Sequence, residues 1–143
     1  MPEILLVEDS LDDIEFVQEA LSELDFQGTV HIAEDGEVAL KLLKVQGVET
    51  PFYPALVLLD LNLPKVDGRE VLREIKADEN LKIVPVIVLS TSALESDVQA
   101  AYRLGANCYI QKPSRYGQLV VTLDRILKFW LQCSAHRKVP RLQ

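Results

Sequence analysis

The chain has 143 residues, 48% of them hydrophobic and 26% charged, the profile of one globular domain that can bury a core without a disulfide or metal staple. A formal net charge of −7 disfavours nucleic acid, which draws basic surfaces, and favours cations or basic partners. No apolar run approaches the roughly 20 residues of a membrane span. The start MPEILLVEDS lacks the basic lead of a secretory signal, so a cytoplasmic protein is expected, with Cys108 and Cys133 as free thiols.

In chain order, Ile4 to Val7 is a first apolar run of strand length. Residues 11–24 follow with Leu11, Ile14, Val17, Leu21 and Leu24 at helical spacing. Thr29 to Ala33 is a second strand, more alternating and interrupted by His31. Residues 37–46, with Val38, Leu42 and Val45, predict a second helix. The loop from Val48 to Pro54 leads to a third strand, Ala55 to Leu59. A helix over 69–77 carries Val71, Leu72 and Ile75. The fourth strand is Val84 to Leu89, the fourth helix 96–104 with Val98, Ala101 and Tyr102, and the fifth strand Cys108 to Ile110. The last helix spans 115–132. Ser10 and Asp67 stand where N-caps are expected, and Gly28, Gly47 and Gly105 where helices stop. Strict alternation of apolar strands and amphipathic helices predicts a doubly wound α/β domain with a parallel sheet covered on both faces.

Open parallel sheets place their sites beyond the carboxyl ends of the strands, and the chemistry of this sequence collects there. Strand one ends on Glu8 and Asp9, and the very apolar strand three ends on Asp60. Three converging carboxylates repel one another unless a cation neutralises them. Without Cys or His among them they suit a hard ion such as Mg²⁺. Glu8 and Asp9 alone could be capping acids of the first helix. Ser90 and Thr91 at the end of strand four could be turn residues, and Lys112 at the end of strand five could be solvated surface. Together, acid, hydroxyl and ammonium on separate strand ends are what a phosphoryl site needs.

The segments VEDS, LLDLNLPKVDG, VLSTSA and YIQKP, in this order and spacing, resemble the receiver domain of two-component response regulators over about residues 3–131. The resemblance implies a flavodoxin-like (βα)5 fold with strand order 2-1-3-4-5. It implies that Asp60 accepts a phosphoryl group from a sensor histidine kinase, with Mg²⁺ organised by Glu8, Asp9, Asp60 and the backbone carbonyl of Asn62. It assigns Ser90 as switch hydroxyl, Lys112 as phosphate-binding cation, and Tyr109 as the aromatic that turns on activation. DLNLPKVDGREVLREIK, LSTS, NCYIQK and the terminal FWL are similar to single-domain regulators partnered with bacterial, especially cyanobacterial, phytochromes.

A receiver of residues 1–132 and a tail of 133–143 leave no room for a separate output domain, so output is expected through contact with a downstream phosphorelay or effector protein, or with a second copy. In the last helix Leu119, Leu123, Ile126, Leu127 and Trp130 form the core stripe. Val121 and Phe129 fall outside it and Leu131 broadens the arc, which predicts a homodimer through these three unless the tail covers them. Two other readings compete. A haloacid-dehalogenase-type phosphatase would carry an acid two residues after the nucleophile, where Asn62 stands. A receiver-like interaction module would work without phosphorylation. A dinucleotide-binding domain is excluded because VEDSLDD has no glycine.

Overall fold

A computed structural model describes residues 1–44 and 52–133. Five parallel strands, β1 (Glu3–Val7), β2 (Thr29–Ala33), β3 (Leu56–Leu59), β4 (Val86–Ser90) and β5 (Cys108–Gln111), form one sheet in the order 2-1-3-4-5. The helices are α1 (Leu11–Glu23), α2 (Gly36–Leu43), α3 (Gly68–Ala77), α4 (Glu95–Arg103) and α5 (Tyr116–Leu127), and a π-helical turn continues α5 through Lys128–Cys133.

Period-two alternation explains why the central strands are apolar throughout. Leu5, Val7, Val57, Leu59, Val86 and Val88 point to the face carrying α2, α3 and α4. Ile4, Leu6, Leu56, Leu58, Ile87 and Leu89 point to the face carrying α1 and α5. Fully burying one such aliphatic side chain stabilises the fold by about 1.5–3 kcal/mol. Two cores, one on each face, therefore sandwich the sheet between helices.

The element ends follow local chemistry. Pro85 has no N–H to give, so β4 begins at Val86 rather than Val84, while the Pro85 carbonyl accepts from Val57 N at 2.9 Å. Ser10 caps α1 by accepting from Asp13 N at 3.2 Å, and Asp67 caps α3 by accepting from Arg69 N at 2.8 Å. Gly105, at φ 104°, follows α4 as predicted. Gly28 does not stop α1. Asp25 takes the left-handed conformation there (φ 55°), and a Cβ on Gly28 would lie 2.3 Å from the Pro2 carbonyl oxygen.

Several predicted core positions differ. Leu11, the first residue of α1, lies off the face formed by Ile14, Val17, Ala20 and Leu21 and is exposed, and Val38 and Tyr102 are also exposed. In α2 the buried face is Ala39 and Leu43. Leu131, expected at the dimer surface, is only 8% exposed and belongs to the core under α1 and α5. It lies one turn beyond buried Leu127, and the continued winding of the helix carries it back onto the same face. The expectations for Val45, Gly47 and residues 134–143 of the tail fall outside the described residues.

Candidate functional site

Four strand ends, those of β1, β3, β4 and β5, and the loops that follow them build the site. Asp60 follows β3, and its backbone N–H is held by the Val7 carbonyl at 3.0 Å, so the acid stays in register with β1. Its Oδ1 accepts from Asn62 N at 3.2 Å. The loop after it is pinned by Gly68, whose N–H donates to the Leu61 carbonyl at 3.0 Å. A Cβ on Gly68 would stand 2.3 Å from the Asp60 carbonyl oxygen, so only glycine lets α3 start this close to the acid.

Glu8 and Asp9 sit beside it at the end of β1. Each of Glu8, Asp9 and Asp60 offers a carboxylate oxygen within 4.8 Å of the other two. Glu8 and Asp60 are buried and Asp9 is exposed. Burial pushes the Glu8 carboxyl up to about 7, the Lys112 hydrogen bond opposes this, and the charge of Asp60 adds to the rise. An all-carboxylate set with one exposed member, short of positive charge, fits a hard divalent cation that keeps some of its water.

Lys112 extends from the end of β5, where its backbone N–H is held by the Ser90 carbonyl at 2.7 Å. Its Nζ donates to Glu8 Oε1 at 2.5 Å, Asp13 Oδ2 at 2.9 Å and Asp60 Oδ2 at 3.4 Å. Burial draws the ammonium's pKa down, but the hydrogen bonds to Glu8 and Asp13 and the charges of Glu8 and Asp60 outweigh it, holding the pKa well above lysine's ordinary value. A cavity of about 490 Å³ opens beside it, lined among others by Asp13, Phe16, Asp60, Lys112 and Tyr116.

Ser90 is buried at the end of β4, and its Oγ accepts from Ser92 N at 3.2 Å. Ser92 is the hub of the next loop. Its Oγ donates to Asp97 Oδ2 at 2.6 Å, and its carbonyl accepts from the Tyr109 hydroxyl at 2.9 Å. Tyr109 on β5 thus reaches the loop that carries Ser90, and its own N–H donates to the Tyr102 hydroxyl at 3.0 Å.

The structure brings Glu8, Asp9, Asp60, Asn62, Ser90 and Lys112 to one edge and ties Tyr109 to it through Ser92. Val121 and Phe129 lie apart, exposed on and beyond α5. Asp13 was missed by sequence reasoning. It reads as an ordinary first-turn acid of α1, and its partner Lys112 is 99 positions away.

A buried aspartate at a strand end, an acidic pair beside it, and a hydroxyl and a lysine on the next two strands define a receiver-type phosphoacceptor edge on a (βα)5 sheet. The model of the response regulator receiver domain matches residues 4–124, and the chain belongs to that family. Response regulator Rcp1 of Synechocystis sp. is 48% identical over 130 residues, 90% of this chain and 88% of that protein. The phosphorylated cyanobacterial phytochrome response regulator RcpA superposes with a TM-score of 0.88 at 44% identity, over 96% of this chain and 99% of the other. The Mn²⁺-bound form of Rcp1 superposes with a TM-score of 0.87 at 45% identity, over 96% and 100%. Membership in this signalling family removes the phosphatase reading. Among the described residues no helix is long and apolar enough to cross a membrane.

Proposed function

We propose that this protein is a phosphoacceptor of a phytochrome-linked two-component pathway, phosphorylated on Asp60 by a sensor histidine kinase in the cytoplasm. The observation that carries the reading is the contact of Lys112 with buried Asp60, 3.4 Å apart at the edge where Glu8 and Asp9 also converge. The likeness to Rcp1 and to the phytochrome regulator RcpA supports the choice of kinase.

The Asp60 carboxylate attacks phosphorus, forming an Oδ–P bond as the N–P bond of the donor phosphohistidine breaks and the imidazole leaves. Glu8, Asp9, Asp60 and the Asn62 carbonyl would hold Mg²⁺, which neutralises the acids and the transferring oxygens. Lys112 takes a phosphoryl oxygen, and Ser90, freed from Ser92 N, donates to another. That movement loosens the loop on which the Tyr109 hydroxyl rests, so Tyr109 turns and shifts the surface of α4, β5 and α5. The chain catalyses only its own phosphoryl transfer and hydrolysis. Its output is a protein contact with a downstream relay or effector, and Val121 and Phe129 support a homodimer on the same face.

Incubation with Mg²⁺ and acetyl phosphate, followed by intact mass measurement, tests the reading. Wild type gains one phosphoryl group and Asp60→Asn gains none. Equal labelling of both moves the acceptor elsewhere, and no labelling of wild type favours an interaction module that works without phosphate.

A further inference from the structure

Asp13 occupies the third position of α1, three residues after the Ser10 cap. An acid there ordinarily reaches back to the N–H of the capping residue. Here that N–H donates to Glu8 Oε2 at 3.2 Å, so the Asp13 carboxylate is free for the Lys112 ammonium at 2.9 Å. An ammonium has three N–H donors, and Glu8, Asp13 and Asp60 are three acceptors for them. An oxygen of an incoming phosphoryl group must therefore displace one of the three.

We propose that Asp13 is a positioning residue that holds Lys112 in the unphosphorylated protein and is the carboxylate that yields it to the phosphoryl group. The inference rests on the phosphoacceptor reading above. Glu8 is 5% exposed through its side chain and Asp60 9%, whereas Asp13 is 41% exposed. Water can rehydrate Asp13 at the lowest cost, and buried charge resists being left unpaired. Glu8 stays engaged within the carboxylate cluster, and Asp60, the longest of the three contacts at 3.4 Å, remains a charged partner until the Oδ–P bond has formed, so before transfer Asp13 is the acid that gives way. The Asp13–Lys112 bond is thus a ground-state contact that is lost on the way to transfer, and such contacts slow the step they precede.

The test measures the rate of phosphorylation of the full chain by acetyl phosphate at saturating Mg²⁺, by intact mass, in wild type, Asp13→Asn, Lys112→Ala and the double variant. Asp13→Asn should be faster than wild type by about threefold, the size of a partly exposed ion pair. In the slower Lys112→Ala background the same substitution should change the rate by less than about 1.5-fold, because the coupling runs through the ammonium. A purely structural role would lower the rate in both backgrounds. Simple repulsion of the anionic donor would give the same gain in both. Either result overturns the proposal, as does an unchanged rate in Asp13→Asn. If wild type takes up no phosphoryl group, the Asp60 reading falls first and this inference with it.

Discussion

The carboxyl edge of the sheet and the outer face of α5 invert the usual distribution of charge and grease. At the edge, Glu8, Asp60 and Ser90 are buried. Among the described residues no buried side-chain nitrogen or oxygen lacks a hydrogen-bond partner. On α5 Val121 is 47% exposed, and beyond it Phe129 is 56% exposed, its ring set nearly perpendicular to that of Trp130 with centroids 4.9 Å apart. One region keeps charge out of water by pairing every group. The other keeps apolar surface in water. The first is a cluster of acids whose chemistry fits a divalent cation beside Lys112, and the second is a surface that gains free energy only when something covers it.

The comparison breaks most visibly at Lys112. Removing it leaves Glu8 and Asp60 buried with no protein cation among the contacts described for them. Lys112→Ala should lose about 3 kcal/mol of stability in urea unfolding without metal at neutral pH, the range for an orphaned buried charge. Added Mg²⁺ should recover a large part of that loss, because the cation supplies the missing charge to the same acids. A variant as stable as wild type without metal would mean that water already solvates the edge.

A second break is steric. The Cβ of Gly68→Ala would press on the Asp60 carbonyl oxygen and the Leu61 backbone at 2.3 and 2.5 Å, atoms that cannot swing aside. Moving α3 or the Asp60 loop should cost about 2 kcal/mol, within the range for overpacking a tight site. It should also slow phosphorylation, since Asp60 would leave its register with Lys112. Unfolding and labelling on the same samples check this, and a stable variant with slow labelling would show that the loop, rather than the helix, gives way.

How much of each region was legible in the sequence follows from the same contrast. In a parallel sheet the strand ends must converge, so Glu8, Asp9, Asp60, Ser90 and Lys112 could be assembled from apolar runs and the polar residues that end them. The 2-1-3-4-5 order came from the receiver resemblance rather than from periodicity. Asp13 was hidden because its role depends on the cap: only once Ser10 N–H is taken by Glu8 is Asp13 free to face β5. Leu131 was misjudged from the wheel, where it stood at the margin of the arc, because the helix winds on past Leu127 and returns it to the core. Val121 and Phe129 were legible as apolar residues off the core stripe, but a sequence does not say what covers them.

The smallest expected effect on the fold, and the sharpest test of the exposed face, is Phe129→Ser. Phe129 already contacts solvent over more than half its surface, so its removal from the monomer should change unfolding free energy by no more than about 0.5 kcal/mol, the usual range for surface substitutions. In a twofold dimer the same ring occurs on both sides of the interface. An aromatic anchor there contributes about 2 kcal/mol, roughly a thirtyfold change in the dimer constant. Sedimentation across a concentration series, on the phosphorylated and unphosphorylated protein, separates the two quantities. Wild type should associate and Phe129→Ser should need about thirty times the concentration to do so, with an unfolding curve that superposes on wild type at monomeric concentrations. A wild type that stays monomeric at high micromolar concentration in both states removes the homodimer and leaves this face to a different partner. A dimer that survives the substitution unchanged places the contact away from Phe129.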